Sequence, residues 1–349
     1  MSHKKLLVAM SGGVDSSVAV RLLLEAGYDC AGATFLTSRS AEAVSAANDA
    51  QRVASELGIE HMTLDLTDEF RRDVIEYFVR TYEEGGTPNP CVMCNRKIKF
   101  GLLADYALSH GFDGIATGHY ARLSADEGGV KLYCAEDMHK DQTYVLSHVP
   151  EKSLAICHFP LGGLTKARIR SLAAEYGISV AEKKESQDIC FIPGGDYVRF
   201  ITEFRGKEPQ RGRFIDRDGK ILGENRGALC YTIGQSRGLG IALGRKVFVT
   251  DKNAVTGEVT LGESSELMKT TVTASELNLI GCDSLEESRF EVKIRYAHRA
   301  ALASVKYMGG GRVEIKFDEP QRAPARGQLA VLYTEDSHGR RAVGGAVID

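Results

Sequence analysis

Short apolar runs and helix-period segments take turns through the first half of this chain. Leu6 to Met10, Cys30 to Leu36, His61 to Leu66 and Gly114 to Thr117 have strand length, while Ser16 to Ala26, Ala41 to Leu57, Asp68 to Glu83 and Arg96 to Ser109 carry helical patterns. Strands alternating with helices predict an α/β fold, a doubly wound parallel sheet with helices on both faces. Beyond Phe191-Ile192-Pro193-Gly194-Gly195 the texture changes, and Gly, Arg and short β-like runs replace the alternation. From Lys269 onward, runs such as Phe290 to Arg295 suggest an antiparallel barrel or sandwich. We expect a catalytic domain over 1–204, a small central domain over 205–267 and a C-terminal antiparallel β-barrel over 268–349.

Composition narrows the class. A chain of 349 residues with 43% hydrophobic content can bury the cores of two or three domains. Lys4 and Lys5 before Leu6 to Met10 imitate a signal peptide, but the apolar stretch is too short and meets two glycines, so it reads as a buried first strand. No segment approaches the roughly 20 apolar residues that cross a bilayer. A cytoplasmic location without a membrane partner is expected. The eight cysteines are unevenly spaced, unlike a secreted disulfide framework, which leaves thiol chemistry or core packing. A net charge of −3 gives no global signal for nucleic acid. Locally, residues 199–247 hold 11 Lys/Arg against 5 Asp/Glu, which fits phosphate contacts, although a solvated face is the usual explanation of such a run.

Where the first strand ends, Ser11-Gly12-Gly13-Val14-Asp15-Ser16-Ser17 leads into a helix, so backbone N–H groups converge at a helix N-terminus and make an anion site. The glycines permit close approach, and the hydroxyls of Ser11, Ser16 and Ser17 would add donors for phosphate oxygens. Asp15 suits phosphates only if it holds Mg²⁺ or orients the loop. A glycine turn with an Asp or Ser helix cap is the better explanation of a bare Gly-Gly pair, and the complete string shifts that balance. The lysine of the Walker pattern is missing, so γ-phosphate transfer is not indicated.

Cys91 and Cys94 lie in Thr87-Pro88-Asn89-Pro90-Cys91-Val92-Met93-Cys94-Asn95, which reads as an ordered, non-helical approach to the helix bearing Lys97 and Lys99. A thiol near a helix N-terminus beside lysines should have a depressed pKa, which makes Cys94 the nucleophile candidate. Cys190 follows Lys183-Lys184-Glu185-Ser186-Gln187-Asp188-Ile189 and is placed to face Cys94 across a site. Cys-x-x-Cys spacing alone fits zinc, a redox dithiol or iron–sulfur ligation without choosing among them. Cys30, Cys134, Cys157, Cys230 and Cys282 read as small core residues.

The glycine loop resembles that of ATP pyrophosphatases, which adenylate a carbonyl or carboxylate oxygen. Together with Thr87 to Phe100, Ala116-Thr117-Gly118-His119-Tyr120, Lys140-Asp141-Gln142, Phe159-Pro160-Leu161-Gly162, Ser186 to Phe191, Tyr231 to Gln235 and Lys293 to Tyr296, it makes nearly the whole chain resemble the tRNA-specific 2-thiouridylases. That resemblance implies ATP-dependent thiolation at C2 of the wobble uridine of tRNA. A persulfide sulfur-carrier protein or cysteine desulfurase would load Cys190 as a persulfide. Cys94 would attack it, leaving a Cys94–Cys190 disulfide to be reduced before the next turnover. Residue by residue, Ala9, Met10, Ser11, Gly12, Gly13, Val14, Asp15, Ser16, Phe35 and Gly118 would contact ATP. Asn89, Pro90 and Cys91 would approach the target base, and Lys140, Asp141, Gln142, Arg295 and Tyr296 would touch tRNA.

Cys91 stands where some relatives carry Asp, Asn225 where His is common, and Ser236-Arg237 where Arg-Lys is usual. These departures bear on tRNA contacts or substrate range. Cys91, Cys94 and Cys190 also leave open an iron–sulfur cluster with one iron free for sulfide. Two other readings remain: an adenylating amidotransferase that needs neither Cys94 nor Cys190, and an RNA-binding protein with a degenerate catalytic half.

Overall fold

The computed structural model describes residues 4–180, 189–285 and 288–349. The alternation of the first half folds into five parallel strands, β1 (Lys5–Ala9), β2 (Asp29–Leu36), β3 (His61–Asp65), β4 (Gly114–Thr117) and β7 (Cys157–His158), ordered β3-β2-β1-β4-β7. Leu6, Leu7 and Val8 are all fully buried because β1 is central and covered on both faces, which is why it reads as a continuous apolar run. Leu7, Ala33 and Ile115 pack on one side with Phe100 and Leu103. On the other, Leu6 and Val8 meet Val18 and Leu23 of α1 (Val14–Glu25), Val53 of α2 (Ala41–Glu56), and Ile169 and Leu172.

Two helices depart from plain α geometry. The 67–83 helix contains a π segment at Arg71–Ile75, and the 90–109 helix contains one at Cys94–Leu102. The second helix starts at Pro90, not at Arg96 as the sequence suggested. Pro90 occupies the first helical position, where its missing N–H costs nothing, and the Asn89 side chain accepts the Cys91 N–H at 3.2 Å. Cys91 and Cys94 are therefore helical residues.

The C-terminal residues close into the expected barrel. β12 (Met268–Leu279), β15 (Arg312–Arg322), β14 (Ala301–Gly309), β13 (Ser288–Lys293), β16 (Leu329–Asp336) and β17 (Gly339–Ile348) pair antiparallel in that order, and β17 returns to β12. A hairpin unforeseen in the sequence, β5 (Arg122–Asp126) with β6 (Gly129–Tyr133), leaves the parallel-sheet domain and pairs with β17 through Tyr133 and Leu132. Between these units, β8 (Gly212–Ile215), β9 (Ile221–Asn225), β10 (Phe248–Lys252) and β11 (Val259–Gly262) surround Phe214, Tyr231, Val249 and Leu261. Among the described residues no helix is long and apolar enough to cross a membrane.

Candidate functional site

The strand order reverses direction between β1 and β4, and the loops leaving these two strands flank a crevice of the kind in which α/β sheets hold ligands. Gly12 takes a φ of +66°, and a Cβ there would lie 2.6 Å from Ala46 O in α2, so backbone conformation and packing both demand glycine. Gly13 caps α1 without a side-chain hydrogen bond, leaving the first-turn N–H groups to the crevice. Gly118, directly after β4, would push a Cβ to 2.9 Å from Ser16 N. Its bare backbone lets β4 press against the start of α1. The result is a helix N-terminus whose first-turn N–H groups face the crevice, the arrangement that suits an anion.

Two details of that site correct the sequence reading. Ser16 and Ser17 are buried, and their hydroxyls donate to Gly13 O at 3.2 and 2.8 Å, so they lock the first turn instead of meeting phosphate. Asp15 accepts from Lys166 Nζ at 2.7 and 2.9 Å and from Tyr120 Oη at 2.8 Å. Its carboxylate thus anchors the loop, and no group of three or more His, Cys, Asp or Glu among the described residues is placed to hold a metal. The donor set does not fit Mg²⁺ at Asp15. Sequence reasoning missed Lys166; the signal was Asp15 itself, an acid that needs a cation beside an anion site. Met10 and Val14 are buried and offer only backbone to a ligand, Ala9 is half-buried, Ser11 is exposed, and Phe35 is half-buried at the end of β2.

The thiols converge nearby. Cys94 and Phe191 both pack against Phe70, Val74 and Ile98. The Phe191 ring meets Phe70 and Phe78 edge-on at 5.7 and 5.4 Å, which fixes the neighbouring Cys190 over the 67–83 helix. Lys183 to Asp188 lie outside the described residues. The expected acidity of Cys94 is not found: burial pushes its thiol up to about 12, outweighing the opposing pull of Lys99, with the nearby Cys190 and Cys91 adding to the rise. Desolvation by the surrounding protein also raises Cys91 and Cys190, although both reach the surface, so their shifts carry less weight than that of Cys94. A depressed pKa requires an open helix N-terminus, whereas Cys94 lies past the first turn in an apolar cluster. All eight cysteines are free, and Cys91, Cys94 and Cys190 do not form a metal-binding group, so the residues do not fit an iron–sulfur cluster. Cys30, Cys134, Cys157 and Cys230 are buried and Cys282 half-buried, as expected of packing residues.

Lys99 acts on all three thiols and on His119. In an α-helix residues five apart diverge, but the wider π turn from Cys94 to Leu102 brings Lys99 back towards the face of Cys94. His119, buried between Phe100 and Phe159, pairs through Nδ1 with Thr117 Oγ1 at 2.7 Å, and burial drives its pKa well down. The run ahead of Cys91 is gripped from both β units. Lys252 Nζ reaches Gly86 O at 3.4 Å, while Gln328 Nε2 donates to Thr87 O and Thr87 N to Arg326 O, each at 2.7 Å.

Most residues assigned to tRNA contact turn inward. Asp141 is buried, accepting from Ala135 N at 3.0 Å and Thr143 Oγ1 at 2.5 Å. Gln142 Oε1 accepts from Tyr120 N at 2.9 Å. Arg295 Nη2 donates to Ala323 O at 2.8 Å and Ile233 O at 3.3 Å, tying the barrel to the central unit. Asn89 and the buried Pro90 start the thiol helix, and Lys140 is half-buried. Tyr296 keeps an exposed ring beside Tyr144, and Cys91 is exposed. Asn225 is buried, with its amide spent on Gly257 O and Gly227 N, so this departure concerns packing.

An anion loop and converging thiols in one α/β domain, followed by two small β units, define a multidomain enzyme of the HUP class. Residues 4–194 match the family model described as tRNA methyl transferase HUP domain, 199–263 the tRNA methyl transferase PRC-barrel domain, and 269–348 the aminomethyltransferase beta-barrel domain. The chain is 42% identical to the tRNA-specific 2-thiouridylase MnmA of Clostridium perfringens, covering 100% of this chain and 99% of that protein. It is 44% identical to the protein of the same name from Carboxydothermus hydrogenoformans, covering 100% and 98%. The chain belongs to the tRNA-specific 2-thiouridylase family. Among solved structures, a predicted tRNA methyltransferase subunit from Methanocaldococcus jannaschii overlaps 58% of this chain and 89% of its own at 20% identity, with a TM-score of 0.35, too loose to carry an argument.

Proposed function

We propose that this protein is a cytoplasmic ATP-dependent sulfurtransferase that replaces the C2 oxygen of the wobble uridine of tRNA with sulfur. The observation that carries the reading is the approach of Cys190 to Cys94, with Cys94 and the Phe191 ring next to Cys190 packed on one apolar cluster, in a domain whose crevice offers helix N–H groups to an anion. ATP would lie on the Ser11 to Ser16 loop between β1 and β4, its phosphates met by first-turn N–H groups. A uracil oxygen is a poor leaving group and AMP a good one, so attack of that oxygen on the α-phosphorus, with pyrophosphate departing, prepares C2 for substitution.

Sulfur chemistry follows in two bond exchanges. The terminal sulfur of a Cys190 persulfide, supplied by a sulfur-carrier protein or cysteine desulfurase, attacks C2 and AMP leaves. The Cys94 thiolate then attacks Cys190 Sγ, cleaving the S–S bond to the nucleoside. This releases 2-thiouridine, leaves a Cys94–Cys190 disulfide and requires a dithiol reductant to restore both thiols. Lys99 is the cation placed to favour the thiolate against the burial that opposes it. Residues 1–204 would carry this chemistry, with 205–267 and 268–349 holding tRNA through the basic central stretch and the exposed Tyr296. Cys94→Ser and Cys190→Ser test the assignment: each should abolish 2-thiouridine formation, and unimpaired product from both would exclude the mechanism.

A further inference from the structure

A groove of about 450 Å³ opens between the 67–83 and 90–109 helices. That is room for a ligand the size of a nucleotide. Met93 lines it and immediately precedes Cys94, so the groove adjoins the thiol site without being part of it. Its charges do not balance. Asp73 is taken by Arg72 at 2.7 Å and Glu76 by Arg205 at 2.8 Å, so both lining carboxylates already have cations. Lys97 meets no carboxylate among the described residues, and Arg80 reaches Glu84 only at 3.9 Å. Lys97, with the loosely paired Arg80 beside it, is left to meet an anion entering the groove.

The remaining wall adds a second kind of recognition. Tyr77 and Met93 supply an aromatic ring and a thioether, surfaces on which a flat base packs. An anion joined to a flat apolar face describes a nucleotide.

We propose that this groove holds a nucleotide adjoining the modified one in the tRNA, with its phosphate between Lys97 and Arg80 and its base against Tyr77 and Met93. The assignment rests on the tRNA reading above and extends it to a subsite that recognises the neighbour of the target. Because Lys97 and Cys94 share one helix, filling the groove sets the position of the adjoining nucleotide relative to the thiols.

The test uses the full-length protein with labelled unmodified tRNA and with the isolated anticodon stem-loop, binding being followed by anisotropy across a salt series. The Lys97→Gln/Arg80→Gln variant should lose affinity on the order of tenfold, and its log–log salt slope should become shallower by about 0.7, the loss of one single-strand phosphate contact. Lys97→Arg/Arg80→Lys should keep both values. Both side chains are exposed, and thermal melting checks folding; Lys97→Gln alone serves as a second reading if the double variant melts early. Wild-type affinity and slope in a correctly folded Gln variant would overturn the groove assignment while leaving the tRNA reading intact. Failure of the wild-type protein to bind either RNA would overturn both.

Discussion

Breaking the Asp15–Lys166 pair should loosen the glycine loop before any ligand is present. Lys166 is 11% exposed and Asp15 30%, with the two contacts at 2.7 and 2.9 Å. At an effective dielectric of about 20, the attraction at such a distance is about 6 kcal/mol. Desolvation and the partial exposure of Asp15 offset much of this, and charge-assisted hydrogen bonds typically net about 1.5–3 kcal/mol. We therefore expect Lys166→Met and Asp15→Asn each to destabilise the loop by about 2–3 kcal/mol. Amide hydrogen exchange of residues 11–17 in the ligand-free protein should accelerate by roughly 30- to 150-fold in either variant. The double variant should be little worse than either single one, giving a coupling energy of about 2 kcal/mol. Exchange within twofold of wild type in both singles, or full additivity in the double, would refute the anchoring role and return Asp15 to ligand or metal contact.

Two further outcomes follow from the site. Because burial raises the Cys94 thiol to about 12, its thiolate fraction grows with pH across the whole neutral and alkaline range, and iodoacetamide labelling should rise about tenfold per unit from pH 7 to 10. Peptide mass spectrometry would measure this; Lys99→Met should slow labelling and Lys99→Arg restore it, whereas a plateau near pH 8 would contradict the burial argument. Asp141→Ala strands the donors of Ala135 and Thr143 and should cost about 2–4 kcal/mol of stability by thermal melting, with tRNA affinity of the folded fraction unchanged; an affinity loss without a lower melting temperature would restore it as a contact residue.

The strands were legible because a doubly covered parallel sheet turns sequence into unbroken apolar runs, and Gly114 to Thr117 emerged with the bounds the pattern suggested. The glycine loop was legible because strand, glycines and helix are contiguous. What failed was non-local or depended on direction. Lys166 lies 151 residues from Asp15, and the β5–β6 hairpin pairs with β17, a strand of the barrel far along the chain. The acidity of Cys94 was misjudged because Phe70, Val74 and Phe191, which bury it, come from separate segments. Two prolines suggested an extended approach, yet Pro90 fits a first helical position as well as it fits a loop. For Asp141, Gln142 and Arg295 the resemblance supplied positions but not the direction of the side chains, and these turn into the protein.

Sulfur transfer itself is tested most directly by supplying the purified protein with unmodified tRNA, ATP, Mg²⁺ and a labelled persulfide donor, then digesting the tRNA and analysing its nucleosides. Labelled 2-thiouridine that appears only when ATP is present is the predicted result. Its absence while the donor demonstrably delivers sulfur to Cys190 would contradict the account.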